Sequence, residues 1–265
     1  MARKITIYHL YPNNMNLYGD LGNIIALEKR CQWRGIETEI VNVHVGDNVD
    51  FSKADFLFMG GGQDTGQRIV VADLQLKGQA IREQIQGGLP ALLICGGFQL
   101  FGHYFKTANR TEIKGISVFD AYTVAGNKRL IGNVVTDITH NLAEWKTEYG
   151  TDVTEHGITT LTGFENHSGQ THLNPGLLPF GYIIEGYGND ANKQYEGARY
   201  KNAYGTYLHG SLLPKNPHLT DHFIMAAIAR RYGVKEALSP LDDTIELEAH
   251  QASTTRAKTA KTVSL

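Results

Sequence analysis

The stretch Ala91-Leu92-Leu93-Ile94-Cys95-Gly96-Gly97-Phe98-Gln99 decides how the rest of the chain is read. Four apolar residues without alternation describe a strand buried on both faces. That strand stops on a residue capable of nucleophilic attack, and two glycines and a helix-like run, Phe98–Phe105, follow. Strand, nucleophile, tight turn and helix together describe a nucleophile elbow, which pushes the side chain out at the carboxyl end of a sheet. Glycines beside it let peptide N–H groups approach a developing oxyanion, and a helix N-terminus after it favours a thiolate. A cysteine packed as a small hydrophobe at a strand end would show the same local pattern. The surrounding sequence has to decide between them.

Upstream, Ile5–Leu10, Glu37–Val43 and Phe56–Met59 read as strands. Between them, Ile24, Leu27 and Cys31 fall at helical spacing before Gly35, and Leu74 to Ile85 forms a helix closed by Gly87-Gly88. Such βαβα order predicts a parallel sheet with helices on both faces. From Ile113 the strands shorten: Ser117–Val124, Arg129–Asp137, Thr159–Glu165, Tyr182–Tyr187, Gly197–Tyr200 and Tyr204–Leu208. They read as antiparallel additions to the sheet, since no linker intervenes. Pro217–Tyr232 has helical periodicity, and the polar segment Gln251–Leu265 reads as a frayed tail. The expected organisation is one α/β domain over residues 1–235 and a polar extension over 236–265.

Composition narrows the function. With 25 Lys+Arg against 27 Asp+Glu in 265 residues, the chain lacks the basic excess of a nucleic-acid binder. Two cysteines are too few for a disulfide scaffold and suit a reducing compartment, so the cytoplasm is expected. No signal-peptide pattern and no long apolar run argues for a membrane. Glycine is in surplus, 29 of 265 residues against about 7% on average. Gly61 to Gly66 has the glycine spacing of a P-loop, but Gln67-Arg68 stands where lysine and a hydroxyl are required, which argues against ATP binding here.

A cysteine nucleophile needs a base, and the chain offers 11 histidines. His209 stands out, ending the strand-like Tyr204-Gly205-Thr206-Tyr207-Leu208 just before a turn. A sheet would bring it to the same edge as Cys95. His218 and His222, at i and i+4, lack a third ligand for zinc and read as a solvated helix face; no metal site is expected. Cys31 reads as a core residue.

Six segments in order resemble the class I glutamine amidotransferases, in the branch that contains cobyric acid synthase. They are Asn16-Leu17-Tyr18-Gly19-Asp20-Leu21-Gly22-Asn23, Gly60-Gly61-Gly62-Gln63-Asp64, Ile94–Gln99, Arg129–Asn133, Gly163–His167 and Gly205–Gly210. Within the branch the chain looks most like the glutaminase subunits of bacterial lipid II isoglutaminyl synthases. The resemblance implies a flavodoxin-like fold with a mixed, mostly parallel central sheet. It also implies Cys95 as nucleophile toward the side-chain amide of L-glutamine and His209 as proton carrier. Gly61 and Gly62 would help form the oxyanion hole, Gln99 would orient the amide, and Arg129 would grip the α-carboxylate. No cofactor is implied on this chain. ATP and magnesium would belong to a MurT-like, Mur-ligase-like partner in a heterodimer, which receives the ammonia and reaches lipid II at the inner membrane face.

Many relatives in the class carry a Glu two positions after the catalytic His, whereas Gly210 and Ser211 follow His209 here. The cobyric-acid-synthase branch shares that departure. Glu165, Asp20 or a partner residue remains to orient the imidazole. Two other functions compete: an amidotransferase serving another acceptor such as a corrinoid, and a non-catalytic glutamine sensor.

Overall fold

The computed structural model describes residues 3–149, 157–260 and 263–264. Its centre is a six-stranded sheet built from β1 (Lys4–Leu10), β2 (Glu37–Val43), β3 (Phe56–Met59), β4 (Ala91–Ile94), and the late strands of the chain. A second sheet contains β5 (Tyr104–Lys106), β6 (Glu112–Lys114), β7 (Ala121–Asp137), β8 (Thr160–Leu173), β9 (Gly181–Glu185) and β10 (Tyr195–Glu196). The chain then returns to the first sheet with β11 (Ala198–Tyr200) and β12 (Ala203–Thr206), giving the order β11-β12-β4-β3-β1-β2. All pairings in this sheet are parallel except that of β11 with β12.

The period of two along these strands sorts the core. Ile5, Ile7, Phe56, Phe58, Leu92 and Ile94 face one apolar cluster, shared with Leu27 and Cys31 of α1 (Leu21–Gln32). Leu57, Met59, Ala91 and Leu93 face the other, shared with Leu74 and Ile81 of α2 (Asp64–Gln86) and Leu100 and Phe101 of α3 (Gly96–Phe101). Helices therefore cover both faces, and Cys31 is buried as expected. Gly205 marks how closely α3 lies on β12: a Cβ there would come within 2.1 Å of the Phe98 ring.

Three expectations need correction. Most of the antiparallel strands form the second sheet, and β11 alone adds antiparallel pairing to the first. The helix after Cys95 ends at Phe101, where Gly102 turns to an extended conformation (ψ −167°), and Tyr104–Lys106 pairs with β6 and β7. The expected fray from Gln251 is instead the larger part of a helix, Thr244–Thr259; residues 261–262 and 265 of that segment lie outside the described residues. Polar contacts hold this helix: Ser253 to Thr162 at 2.7 Å, and His250 to Thr160 at 3.1 Å and to the Lys215 carbonyl at 3.0 Å. Reading for apolar periodicity cannot detect that kind of attachment.

The helices α4 (Thr139–Tyr149) and α5 (Pro217–Tyr232) correct the reading of His218 and His222. Both histidines are buried, because α5 is covered on nearly all sides over its first three turns. His222 stacks on Trp145 with ring centroids 3.9 Å apart, and burial holds its pKa well below the usual histidine range. Among the described residues, no helix is long and apolar enough to cross a membrane.

Candidate active site

The loops that leave β1, β3, β4 and β12 meet at the carboxyl end of the parallel sheet, where open α/β folds place their sites. Cys95 follows β4 directly, and its N–H donates to the Thr206 carbonyl at 2.7 Å. This tie puts the nucleophile beside the end of β12. Its backbone, φ 48° and ψ −101°, is that of a strained elbow. A non-glycine residue in such a region costs roughly 1–3 kcal/mol, and the surrounding structure has to hold it there. The crowding is real: a Cβ on Gly96 would meet the Gly62 carbonyl at 2.7 Å, and one on Gly97 would meet the Met59 carbonyl at 2.8 Å.

His209 arrives from β12. Its N–H donates to the Phe164 carbonyl at 2.8 Å and its own carbonyl accepts from the Phe164 N–H, which clamps the histidine to β8. The imidazole is fully buried, and its Nδ1 lies 3.2 Å from Asp20 Oδ1. Asp20 is itself fully buried at the N-cap of α1, and its Oδ2 accepts from the Gly61 N–H at 2.6 Å. Asp20 is thus the residue that orients the imidazole. Glu165 is turned elsewhere, accepting from the N–H groups of Tyr187 and Gly188 at 2.8 and 2.9 Å.

Burial alone would lower the pKa of His209, but the Cys95 sulfur and the Asp20 carboxylate outweigh it and push it up to about 10. The arrangement holds a proton on the imidazole beside the Cys95 sulfur, where it can be donated to a leaving group. A cavity of about 340 Å³ adjoins it, lined by Cys95, Gln99, Arg129, Tyr18, Asn166 and His167 among others. Glutamine-sized ligands need no more space than this.

The expected substrate residues divide here. Gly62 and Arg129 line the cavity, Arg129 from the stretch of β7 where its register with β8 shifts. Gly61 packs against the imidazole, where a Cβ would lie 2.6 Å from His209 Cε1, and its N–H is committed to Asp20. That leaves Gly62, rather than Gly61, as this loop's donor toward a ligand. The Gln99 amide is held at both ends, its Oε1 by Gln67 at 2.9 Å and its Nε2 by the Tyr207 hydroxyl at 3.2 Å. These two bonds fix the amide in the cavity wall and leave one N–H and one lone pair free to meet a substrate amide.

Sequence reading missed Gln67, His167 and Glu196. Gln67 and His167 lie in stretches already singled out, but what brings them to the site is pairing and packing with distant segments, which a local pattern does not show. Glu196 lies beneath it, its Oε1 accepting from the Thr206 hydroxyl and from the Tyr207 N–H at 2.9 Å. Burial raises its pKa from 4.5 to about 7. The folded protein therefore keeps this proton through a window, from 4.5 to about 7, where the unfolded chain has lost it. The associated stability is fully present below the lower value and is lost as pH rises through the upper one. Glu196→Gln should accordingly flatten the decline in the urea midpoint across this pH window; an unchanged slope would assign the titration to another group.

Among the described residues, no cluster of three or more metal-ligating side chains occurs. The profile of the CobB/CobQ-like glutamine amidotransferase domain matches residues 6–217. The chain is 36% identical over 258 residues to the GatD subunit of lipid II isoglutaminyl synthase (glutamine-hydrolyzing) from Staphylococcus aureus, covering 97% of this chain and 98% of that one. It is likewise 36% identical to the Streptococcus pneumoniae GatD subunit, over 92% of this chain and 88% of the other. A cobyric acid synthase from Listeria monocytogenes is 27% identical over 66% of this chain, which corresponds to 32% of that enzyme. A solved glutamine amidotransferase from Thermotoga maritima shares the fold, with a TM-score of 0.52 at 16% identity, covering 96% of this chain and 93% of that one.

Proposed function

Because the chain belongs to the CobB/CobQ-like glutamine amidotransferase family, we propose that it is a glutaminase subunit that hydrolyses L-glutamine through a cysteine thioester. It passes the ammonia to a MurT-like, ATP-dependent ligase, which amidates the D-glutamate of the lipid II stem peptide to D-isoglutamine. The observation that carries the chemistry is the buried Asp20–His209 pair directed at Cys95, with a cavity beside it.

The Cys95 thiolate attacks the side-chain amide carbon, forming a C–S bond and placing negative charge on the former carbonyl oxygen. Two peptide N–H groups would receive that charge. One belongs to Gly62; the other belongs to Gly96, the first residue of α3, whose N–H has no partner within its helix. Losing one such donor typically costs about 3–4 kcal/mol in the transition state. His209 Nε2 then gives its proton to the leaving nitrogen, the C–N bond breaks and ammonia departs. Water attacks the thioester, His209 takes up the proton, and glutamate leaves as the thiolate re-forms. Arg129 supplies a guanidinium for the α-carboxylate.

ATP and magnesium belong, on this reading, to the partner, since carboxylate activation needs them and this chain lacks a Walker lysine. The extent of similarity favours lipid II over a corrinoid acceptor. The GatD subunits match almost end to end, whereas the cobyric acid synthase match spans a third of that enzyme.

The test is reconstitution. The chain and a MurT-like ligase from the same source are purified together and supplied with glutamine, ATP, magnesium and lipid II. The expected product is lipid II lighter by one mass unit, with one glutamate released per amidation. Glutamate release with no change in lipid II would overturn the acceptor assignment while leaving the glutaminase intact.

A further inference from the structure

We propose that the Tyr18 hydroxyl is a second ligand for the α-carboxylate of glutamine, acting beside Arg129, and that Asn166 positions both donors; the inference rests on the glutaminase reading above. Arg129 Nε donates to Asn166 Oδ1 at 2.6 Å, and its Nη2 donates to the Tyr18 oxygen at 3.3 Å. Asn166 closes the triangle, its Nδ2 donating to the same Tyr18 oxygen at 3.0 Å. One edge of the guanidinium is thereby fixed to protein. The Nη1 side has no partner among the described residues and is what remains for a ligand.

The phenol is the more informative member. A tyrosine hydroxyl can accept and donate at the same time, and it donates one hydrogen. The oxygen accepts here from Arg129 and Asn166, which leaves the hydroxyl hydrogen as a donor, and among the described residues it has no acceptor. A neutral O–H polarised by two incoming donors, one of them cationic, is a strong partner for an anion. Tyr18 and Arg129 both line the cavity that holds Cys95. The chemistry on offer at this wall is a carboxylate site with one cationic and one neutral donor.

Two further observations support this reading. Tyr18 sits at φ 54°, an unusual conformation for a bulky residue, directly before Gly19 at φ 81°. Strained backbone of this kind gathers at ligand clamps, where surrounding bonds hold it. The Tyr18 ring also meets the His209 imidazole edge-on, with centroids 5.0 Å apart. A carboxylate held at the hydroxyl would therefore steady the ring that covers the proton carrier.

The experiment measures binding rather than turnover. The full-length Cys95→Ala protein is titrated with glutamine and with 4-aminobutanamide, which is glutamine without its α-carboxylate. Adding Tyr18→Phe, which removes one oxygen from a residue that is 42% exposed, is expected to weaken glutamine binding by about tenfold to a hundredfold, as for hydrogen bonds to charged groups. Affinity for 4-aminobutanamide should stay the same. Asn166→Ala is expected to produce the same selective loss.

An unchanged glutamine affinity, or an equal loss for both ligands, would overturn the role of Tyr18. Failure of the Cys95→Ala protein itself to bind glutamine would instead overturn the glutaminase reading.

Discussion

Cys95→Ala is expected to reduce glutamine hydrolysis by about ten-thousandfold or more, the scale on which removal of a covalent nucleophile acts. No neighbouring group can replace the thiol. The cavity holds two aliphatic hydroxyl side chains, Thr65 and Ser168, but the group that His209 engages is Cys95, and the imidazole is committed to Asp20 on its other side. Cys95→Ser should fail almost as completely, because a hydroxyl remains protonated where a thiol ionises. Stability should respond differently. Alanine has to adopt the same φ of 48° that cysteine adopts, so the elbow stays strained and the melting temperature should move little. Cys95→Gly relieves the strain, worth roughly 1–3 kcal/mol, against a backbone-entropy penalty of about 0.5–1 kcal/mol. The glycine variant should thus be inactive and unfold at a higher temperature than the parent. Glutamate release and thermal unfolding followed together check both halves. An inactive Cys95→Gly that is also less stable would show that the elbow stores no strain.

How much of this was legible beforehand differs between elements, for physical reasons. Strands buried on both faces, such as Phe56–Met59 and Ala91–Ile94, announce themselves as unbroken apolar runs bounded by glycine. The elbow at Cys95 and the placement of His209 followed from that, since a parallel sheet aligns the ends of its strands. Asp20 was different. It contacts His209 across 189 residues of chain, and nothing local separates it from Glu165. The choice depends on β1 and β12 both ending at this edge while Glu165 is engaged by the turn at Tyr187 and Gly188. The same holds for Tyr18 and Asn166, which meet because the β7–β8 ladder carries Asn166 over the loop that follows β1. The helix Thr244–Thr259 was hidden for another reason: with only His250 and Ala257 buried, it has almost no apolar face to detect.

Asp20→Asn should lower the turnover of glutamine by about a thousandfold to ten-thousandfold while leaving the fold in place, on the precedent of buried carboxylates that orient catalytic histidines. The argument is one of donors and acceptors. Asp20 accepts at both oxygens, from His209 Nδ1–H through Oδ1 and from the Gly61 N–H through Oδ2. An asparagine offers only one oxygen. If that oxygen faces Gly61, the amide nitrogen donates to His209 Nδ1, which must then be unprotonated. The remaining proton sits on Nε2, and the neutral ring can no longer take a proton from Cys95. If the oxygen faces His209 instead, the NH2 group is pressed against the Gly61 N–H in a buried site, with no acceptor for either. In both orientations the negative charge that helps hold the imidazolium is gone, so the pKa of His209 should fall from its raised value near 10. The loss should therefore appear mainly in kcat, and the pH profile should change shape as well as height, because the group that carries the proton now titrates lower. A uniform loss at every pH, with the profile otherwise unchanged, would mean that Asp20 only supports the loop and does not set the charge on His209.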